Sequence, residues 1–365
     1  MSTEVANSWG GNTIPTLDLT HGAYIDPPSL TPYRIIYRSG KASVRHYGAV
    51  GPQRQIPIVL VYALIKRPYV LDLESGRSVV EDLTRQGFEV FLIDWLPPNA
   101  ADSWRGFDAY VNQDLANAVH AVRVLQGVEQ VTVLGYCLGA LLSVIYAALH
   151  PRHVRNLVTL TLPLDTSVRE LPAYQLTDWL DESIVAFVTA AHGNCPAWLL
   201  QNVFAGLSAS YRLGQYFGLC QESERDRYAK LSPAFRDWLA SDVPLAGRLF
   251  RELVVDVFKK NLLARGQMTV GSEVVNLGHI AASLLNVVAA ADVIVHPKSS
   301  LPLVDLVGSP DKTNLVFPTG HTGVAVSTEA HAKLWPQIGN WLAQRDNRES
   351  RTSMDPKLAI TKAAR

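Results

Sequence analysis

Gln130-Val-Thr-Val-Leu-Gly-Tyr-Cys-Leu-Gly-Ala-Leu-Leu-Ser-Val-Ile-Tyr-Ala-Ala-Leu149 is the stretch on which the reading of this chain turns. Its opening residues are apolar and β-branched, the pattern of a strand buried on both faces. From Leu138 onward it is apolar at almost every position, as in a deeply buried helix. Gly135-Tyr136-Cys137-Leu138-Gly139 lies at the join. Glycines two residues before and two after a central cysteine suit a sharp strand-to-helix turn, where side chains would strike neighbouring backbone. The helix N-terminus behind the cysteine offers partial positive charge, which favours an anionic sulfur. The amide of Leu138 is then placed to serve as one oxyanion-hole donor. A buried packing cysteine is the commoner fate of this residue type. The flanking glycines and the strand–helix join favour a nucleophile at Cys137.

Outward from this join, short apolar runs alternate with helical spacings. Strands are predicted at Pro57–Tyr62, Glu89–Asp94, Asn156–Leu162, Leu284–Ala290 and Asn314–Phe317, and helices at Leu71–Gln86, Asp108–Gln126 and Glu329–Arg345. Such alternation implies an α/β fold with a mostly parallel sheet and right-handed crossovers. The rhythm breaks over residues 165–269, a mostly helical, aromatic-rich stretch that reads as an inserted cap. The core is then residues 31–164 and 270–345. Residues 1–30, rich in Gly, Pro, Ser and Thr, are expected to form an extended arm, and the charged tail 346–365 to be disordered.

A thiol nucleophile needs a base, and the base an orienting carboxylate. Asp292 follows the strand ending at Ala290, and His321 lies in Pro318-Thr-Gly-His-Thr-Gly323, just past the last strand. Both stand at carboxyl ends of strands, where sites gather in open α/β sheets. The chain order Cys, Asp, His is that of the α/β-hydrolase triad. Asp305 and Asp311 compete for the acid but do not directly end an apolar strand. His192, His279 and His296 read as structural or surface residues. The second oxyanion donor is expected from the loop after Tyr62, with Ile65 the choice. Lys66 and Arg67 in that loop could meet phosphates, but read more simply as solvated charge. Cys195 and Cys220 lack any elbow and read as packing residues.

Bulk composition narrows the function classes. Lys plus Arg total 33 and Asp plus Glu total 33, so no net field points to nucleic acid. Three widely spaced cysteines make neither a disulfide framework nor a metal site, and a reducing cytoplasm is expected. No metal or organic cofactor is expected. The N-terminus lacks a secretory pattern, and no apolar run is long enough to suggest a transmembrane helix.

Beyond the triad, the chain resembles the catalytic subunit of polyhydroxyalkanoate synthases of the shorter, class III type, over roughly Tyr33 to Arg345. The resemblance is carried by Tyr62-Ala-Leu-Ile-Lys-Arg-Pro-Tyr-Val-Leu-Asp-Leu73, Gly87-Phe-Glu-Val-Phe-Leu-Ile-Asp-Trp95, Lys260-Asn-Leu-Leu-Ala-Arg-Gly266, Val275-Asn-Leu-Gly-His-Ile280 and Trp335-Pro-Gln-Ile-Gly-Asn-Trp-Leu342. It implies polymerisation of (R)-3-hydroxyacyl-CoA, with CoA thioester as substrate. Cys137 would be acylated, His321 would be the base, and Asp292 would assist the attacking hydroxyl or orient His321. It also implies a cytoplasmic enzyme on a polyester granule surface, with a second, non-catalytic synthase subunit and a homodimer. Three positions depart from the family's usual pattern: Ala140 where a second glycine is usual, Val293 where His often follows the catalytic Asp, and Thr322 where Ile is commoner. The rival readings are a thioesterase or hydrolase on the same scaffold, and a non-catalytic granule-bound homologue.

Overall fold

Period-two and fully apolar runs form strands where both faces can be covered, and here they assemble one large sheet. The computed structural model describes residues 29–170, 182–203 and 232–346. In chain order the strands are β1 Arg34–Ser39, β2 Ala42–Tyr47, β3 Ile58–Val61, β4 Asp72–Glu74, β5 Arg77–Ser78, β6 Val90–Trp95, β7 Val131–Tyr136, β8 Val154–Leu160, β9 Thr269–Val270, β10 Glu273–Val274, β11 Ser283–Ala289 and β12 Lys312–Phe317. Eight of them form the main sheet in the order β1-β2-β6-β3-β7-β8-β11-β12, while β4–β5 and β9–β10 are separate hairpins. Only β2 runs against its neighbours; β6, β3, β7, β8, β11 and β12 are mutually parallel. The α/β, mostly parallel architecture expected from the sequence is the one observed.

Every residue of β3, β6 and β7 is buried, which is why these strands read as unbroken apolar runs. Helices cover the faces: α1 Val79–Arg85, α2 Ala116–Gln126 and α3 Leu138–Leu149. α2 ends at Gly127, whose φ of 60° is a left-handed cap. Between β8 and β9 the described residues include α4 Glu182–His192, α5 Pro233–Leu239 and α6 Gly247–Arg251, the last continuing as a wider π-type turn to Lys259. Short helices α7 Pro297–Ser300, α8 Leu303–Leu306 and α9 Gly323–Val326 link the last strands, and α10 Trp335–Ala343 closes the core. The arm at 1–30 lies outside the described residues apart from Ser29 and Leu30. The tail at 346–365 does so apart from Asp346, whose carboxylate accepts the Gln55 and Ile56 amides. Residues 171–181 and 204–231 of the 165–269 segment, Cys220 among them, also lie outside.

Two local differences have physical reasons. The helix expected over Leu71–Gln86 is only its second half, because Asp72 anchors a hairpin instead. Its carboxylate accepts the hydroxyls of Ser29, Thr31 and Ser78, and Ser78 then caps α1 by accepting the Glu81 amide at 3.0 Å. The β1–β2 hairpin escaped the sequence reading because its edge strand is mostly exposed and carries Arg34 and Arg38, as edge strands commonly do.

The elbow glycines are set by close approach. A Cβ on Gly135 would lie 2.5 Å from the Ala140 Cα, and one on Gly139 would lie 2.0 Å from the Val61 oxygen and 2.8 Å from the Tyr62 carbonyl carbon. The first turn of α3 therefore packs directly on the end of β3. Gly139→Ala is expected to cost about 1–3 kcal/mol or more through this overpacking, read as a lower denaturant midpoint; an unchanged midpoint would contradict the contact. Ala140, where a second glycine is usual in the family, is fully buried.

Candidate active site

β7 delivers Cys137 onto the turn into α3. Its φ of 56° and ψ of −121° lie in a region that a non-glycine residue rarely occupies, a strain of roughly 1–3 kcal/mol that clusters at functional sites. The surroundings hold it there: the Cys137 amide donates to the Leu160 carbonyl at 2.9 Å, and its carbonyl accepts the Ala140 and Leu141 amides at 2.9 and 3.2 Å. The sulfur is half-buried. Leu138 is the first residue of α3 and directly follows Cys137, so its N–H has no acceptor within the helix.

The end of β11 supplies Asp292 and the end of β12 supplies His321, and the structure brings both to Cys137. His321 Nδ1 lies 2.7 Å from Asp292 Oδ2. The other carboxylate oxygen, Oδ1, accepts the Ile294 and Val295 amides at 2.8 and 2.9 Å. Asp292 is thus committed on both oxygens, with a side chain only 1% exposed. A carboxylate can only accept, so Nδ1 carries the proton and Nε2 is left for the sulfur. Burial works against charge on His321, but the Asp292 carboxylate and the charge and hydrogen bond of Cys137 outweigh it, and its pKa is pushed up from 6.5 to about 10. The arrangement places the imidazole in hydrogen-bond contact with the Cys137 sulfur, as a cysteine nucleophile and its base would stand.

The competing acids stand elsewhere. Asp311 precedes β12, at the opposite end of the sheet, and pairs with Arg345 at 2.6 Å, which holds its carboxyl below the usual range. Asp305 lies on α8. His296 caps α7 by accepting the Lys298 amide, His279 contacts Asn276, and His192 meets Trp198 edge-on. Cys195 is fully buried in an exchange of backbone hydrogen bonds with Leu245, and burial pushes its thiol up to about 12, leaving it inert.

Ile65 lies in the loop that Gly139 allows against α3. The same loop corrects the reading of Lys66 and Arg67 as solvated charges. Lys66 is mostly buried against Asp242 at 2.9 Å. Arg67 is buried on Asp94, which Arg45 also meets. Burial lowers the pKa of Lys66, with Asp242 opposing.

Sequence reasoning missed Tyr136. Its hydroxyl donates to the His321 carbonyl at 2.8 Å, and its ring lies 5.5 Å from the imidazole. Burial raises its pKa well above 10, so it stays a donor. The only sequence signal was its place inside the elbow, and no spacing rule connects it to a loop 185 residues away.

A family model described as the alpha/beta hydrolase fold matches residues 56–326. The chain is 34% identical over 336 residues to the poly(3-hydroxyalkanoate) polymerase subunit PhaC of Haloferax mediterranei, covering 91% of this chain and 68% of that one. It is 33% identical over 320 residues to the subunit of the same name from Allochromatium vinosum, covering 87% and 89%, and 33% identical over 325 residues to that of a Synechocystis species, covering 86% and 85%. Among solved structures, a putative lipase from Sulfolobus solfataricus aligns with a TM-score of 0.56 at 12% identity, covering 86% of this chain and 99% of that one. A thermophilic esterase from Thermogutta terrifontis aligns with a TM-score of 0.53 at 16% identity, covering 87% and 100%. At those identities the two structures share the fold alone.

Proposed function

Because the chain belongs to the α/β-hydrolase fold family and, within it, to the poly(3-hydroxyalkanoate) polymerase PhaC family, we propose that it polymerises (R)-3-hydroxyacyl groups from CoA thioesters through a thioester on Cys137. The observation that carries this reading is the convergence of three strand ends: a sulfur on a strained turn, an imidazole raised toward its charged form beside it, and a carboxylate buried behind that imidazole.

The steps follow from the geometry. The Cys137 sulfur attacks the thioester carbonyl, and the resulting oxyanion meets the amides of Leu138 and Ile65. The bond to the CoA sulfur breaks, and CoA leaves with the proton of the His321 imidazolium. Cys137 is now neutral and acylated, so the charge that helped raise His321 is gone and the imidazole is a competent base. It takes the proton of an incoming 3-hydroxyl, whose oxygen attacks the Cys137 thioester. An ester bond forms, the sulfur leaves as an anion, and the imidazolium pair is restored. Thioester exchange between CoA and cysteine is nearly isoenergetic, so the acyl group stays activated until the hydroxyl arrives. The commitment of both Asp292 oxygens supports an orienting part for this residue rather than direct contact with the hydroxyl. Thiolate, imidazole and two amides carry each step, which calls for no metal or organic cofactor.

The proposal extends to a cytoplasmic enzyme that works at a granule surface as a homodimer with a second synthase subunit. The exposed Ile184, Phe187 and Trp198 supply apolar surface for such contacts. No helix among the described residues is long and apolar enough to cross a membrane. The test is CoA release from (R)-3-hydroxybutyryl-CoA with the product extracted and sized. Release accompanied by polymer is expected. Release yielding only free hydroxy acid would mean that water, not a hydroxyl, resolves the thioester, and would overturn the polymerase reading.

A further inference from the structure

The loop Tyr62–Arg67 is held from two sides. On the core side, Trp95 donates its indole N–H to the Tyr62 carbonyl at 2.9 Å, and Arg67 donates to the Trp95 carbonyl and Asp94 at 3.2 Å each. On the other side stand α5 and the residues just after it, which belong to the segment inserted between β8 and β9. There the Val243 amide donates to the Ile65 carbonyl at 3.1 Å, and Lys66 pairs with Asp242 as an antiparallel bridge. Trp238 donates its indole N–H to the Arg67 carbonyl at 3.0 Å. The Lys66 ammonium donates to the Leu239 carbonyl at 2.7 Å, pairs with Asp242 at 2.9 Å and lies over the Trp238 ring at 5.3 Å. Three consecutive loop residues are therefore each tied to the stretch Trp238–Val243.

A buried ion pair gains little net stability, because taking both charges out of water costs about as much as their attraction returns. The Lys66 and Asp242 side chains are 13% and 4% exposed, which places this pair in that class. Its ammonium is spent on internal partners, so it is not presented to a ligand phosphate. What the pair does instead is fix direction. An oxyanion donor acts only when its N–H is aimed before the charge develops, and the Ile65 amide lies one residue from Lys66 in a loop without a strand or helix of its own.

The geometry points to Lys66 and Asp242 as positioning residues for acyl transfer, fastening the inserted segment to the loop so that the Ile65 amide is aimed only while that segment is seated. This rests on the reading that Ile65 donates to the oxyanion. The proposal ties catalysis to the seating of the segment through one buried contact.

The test compares two rates in full-length protein carrying Lys66→Met or Asp242→Asn, the latter nearly isosteric and retained in case the former fails to fold. One rate is the first turnover of CoA release from (R)-3-hydroxybutyryl-CoA, which passes through an oxyanion. The other is alkylation of Cys137 by iodoacetamide, which displaces iodide at a saturated carbon and forms none. Misaiming one donor should slow acylation about 10- to 100-fold, in kcat rather than KM, with alkylation changed by no more than about 2-fold. A parallel fall in both rates would mean that the pair merely supports the fold, and would overturn the proposal; so would acylation at the wild-type rate. Wild-type protein alkylated at Cys137 but releasing no CoA would instead overturn the acyl-transfer reading beneath it.

Discussion

Cys137→Ala is expected to lower CoA release from (R)-3-hydroxybutyryl-CoA by about 10⁴-fold or more and to leave no extractable polymer, since the members of such a catalytic unit fail together. The substitution keeps the Cβ on the strained turn and the backbone hydrogen bonds that hold it, so the fold should persist, which circular dichroism can verify. What is lost is the attacking atom, and neither remaining cysteine replaces it. Cys195 is fully buried with its thiol pushed up to about 12, and Cys220 is followed by Glu222 where the elbow pattern needs its second glycine. The variant also tests the electrostatics. Two of the influences raising His321 come from Cys137, so its imidazole should titrate below about 10 in the variant, read from its ring proton shifts. The sign for stability follows. A raised pKa means that the folded state holds the proton more tightly, so this contribution is fully present below 6.5 and is lost as pH rises through about 10. In Cys137→Ala the contribution should be smaller and its loss complete at lower pH.

Asp292→Asn is expected to cost about 10³- to 10⁴-fold in turnover, with little change in stability beyond the lost charge. The reason is the direction of the amide. One oxygen of residue 292 must accept the Ile294 and Val295 N–H groups, so the asparagine oxygen stays there and its NH₂ faces His321 Nδ1. That nitrogen must then accept, the proton moves to Nε2, and the nitrogen facing the sulfur can no longer take a proton. Steady-state kinetics beside an alkylation assay reads this directly. Turnover within tenfold of wild type would show that the carboxylate does not set the tautomer.

How much could be read from the chain alone differs between elements. The strained turn at Cys137 was legible because its constraints are local: a strand, two glycines and a helix are adjacent in sequence, and α3 begins and ends as its pattern requires. Asp292 and His321 were legible as strand-end residues, since β11 and β12 are apolar runs whose carboxyl ends fall beside the elbow in a parallel sheet. The hairpin at Asp72 was not, because its cause is a carboxylate gathering hydroxyls from residues 29 and 31. Tyr136 was missed and Lys66 was misread as solvated charge for a related reason. Each meets a distant segment through its polar tip, and a tyrosine in a strand or a lysine in a loop carries no sign of its partner. Periodicity reports burial; it does not report which buried groups meet.

The acyl group is expected to pass through the sulfur of Cys137. Brief incubation with (R)-3-hydroxybutyryl-CoA, acid quenching, proteolysis and mass spectrometry of the cysteine peptides tests it most directly. A hydroxybutyryl adduct is expected on the peptide containing Cys137, absent from Cys137→Ala and from peptides carrying Cys195 or Cys220. CoA release with no adduct on any cysteine, or an adduct on Cys195 or Cys220 instead, would contradict it.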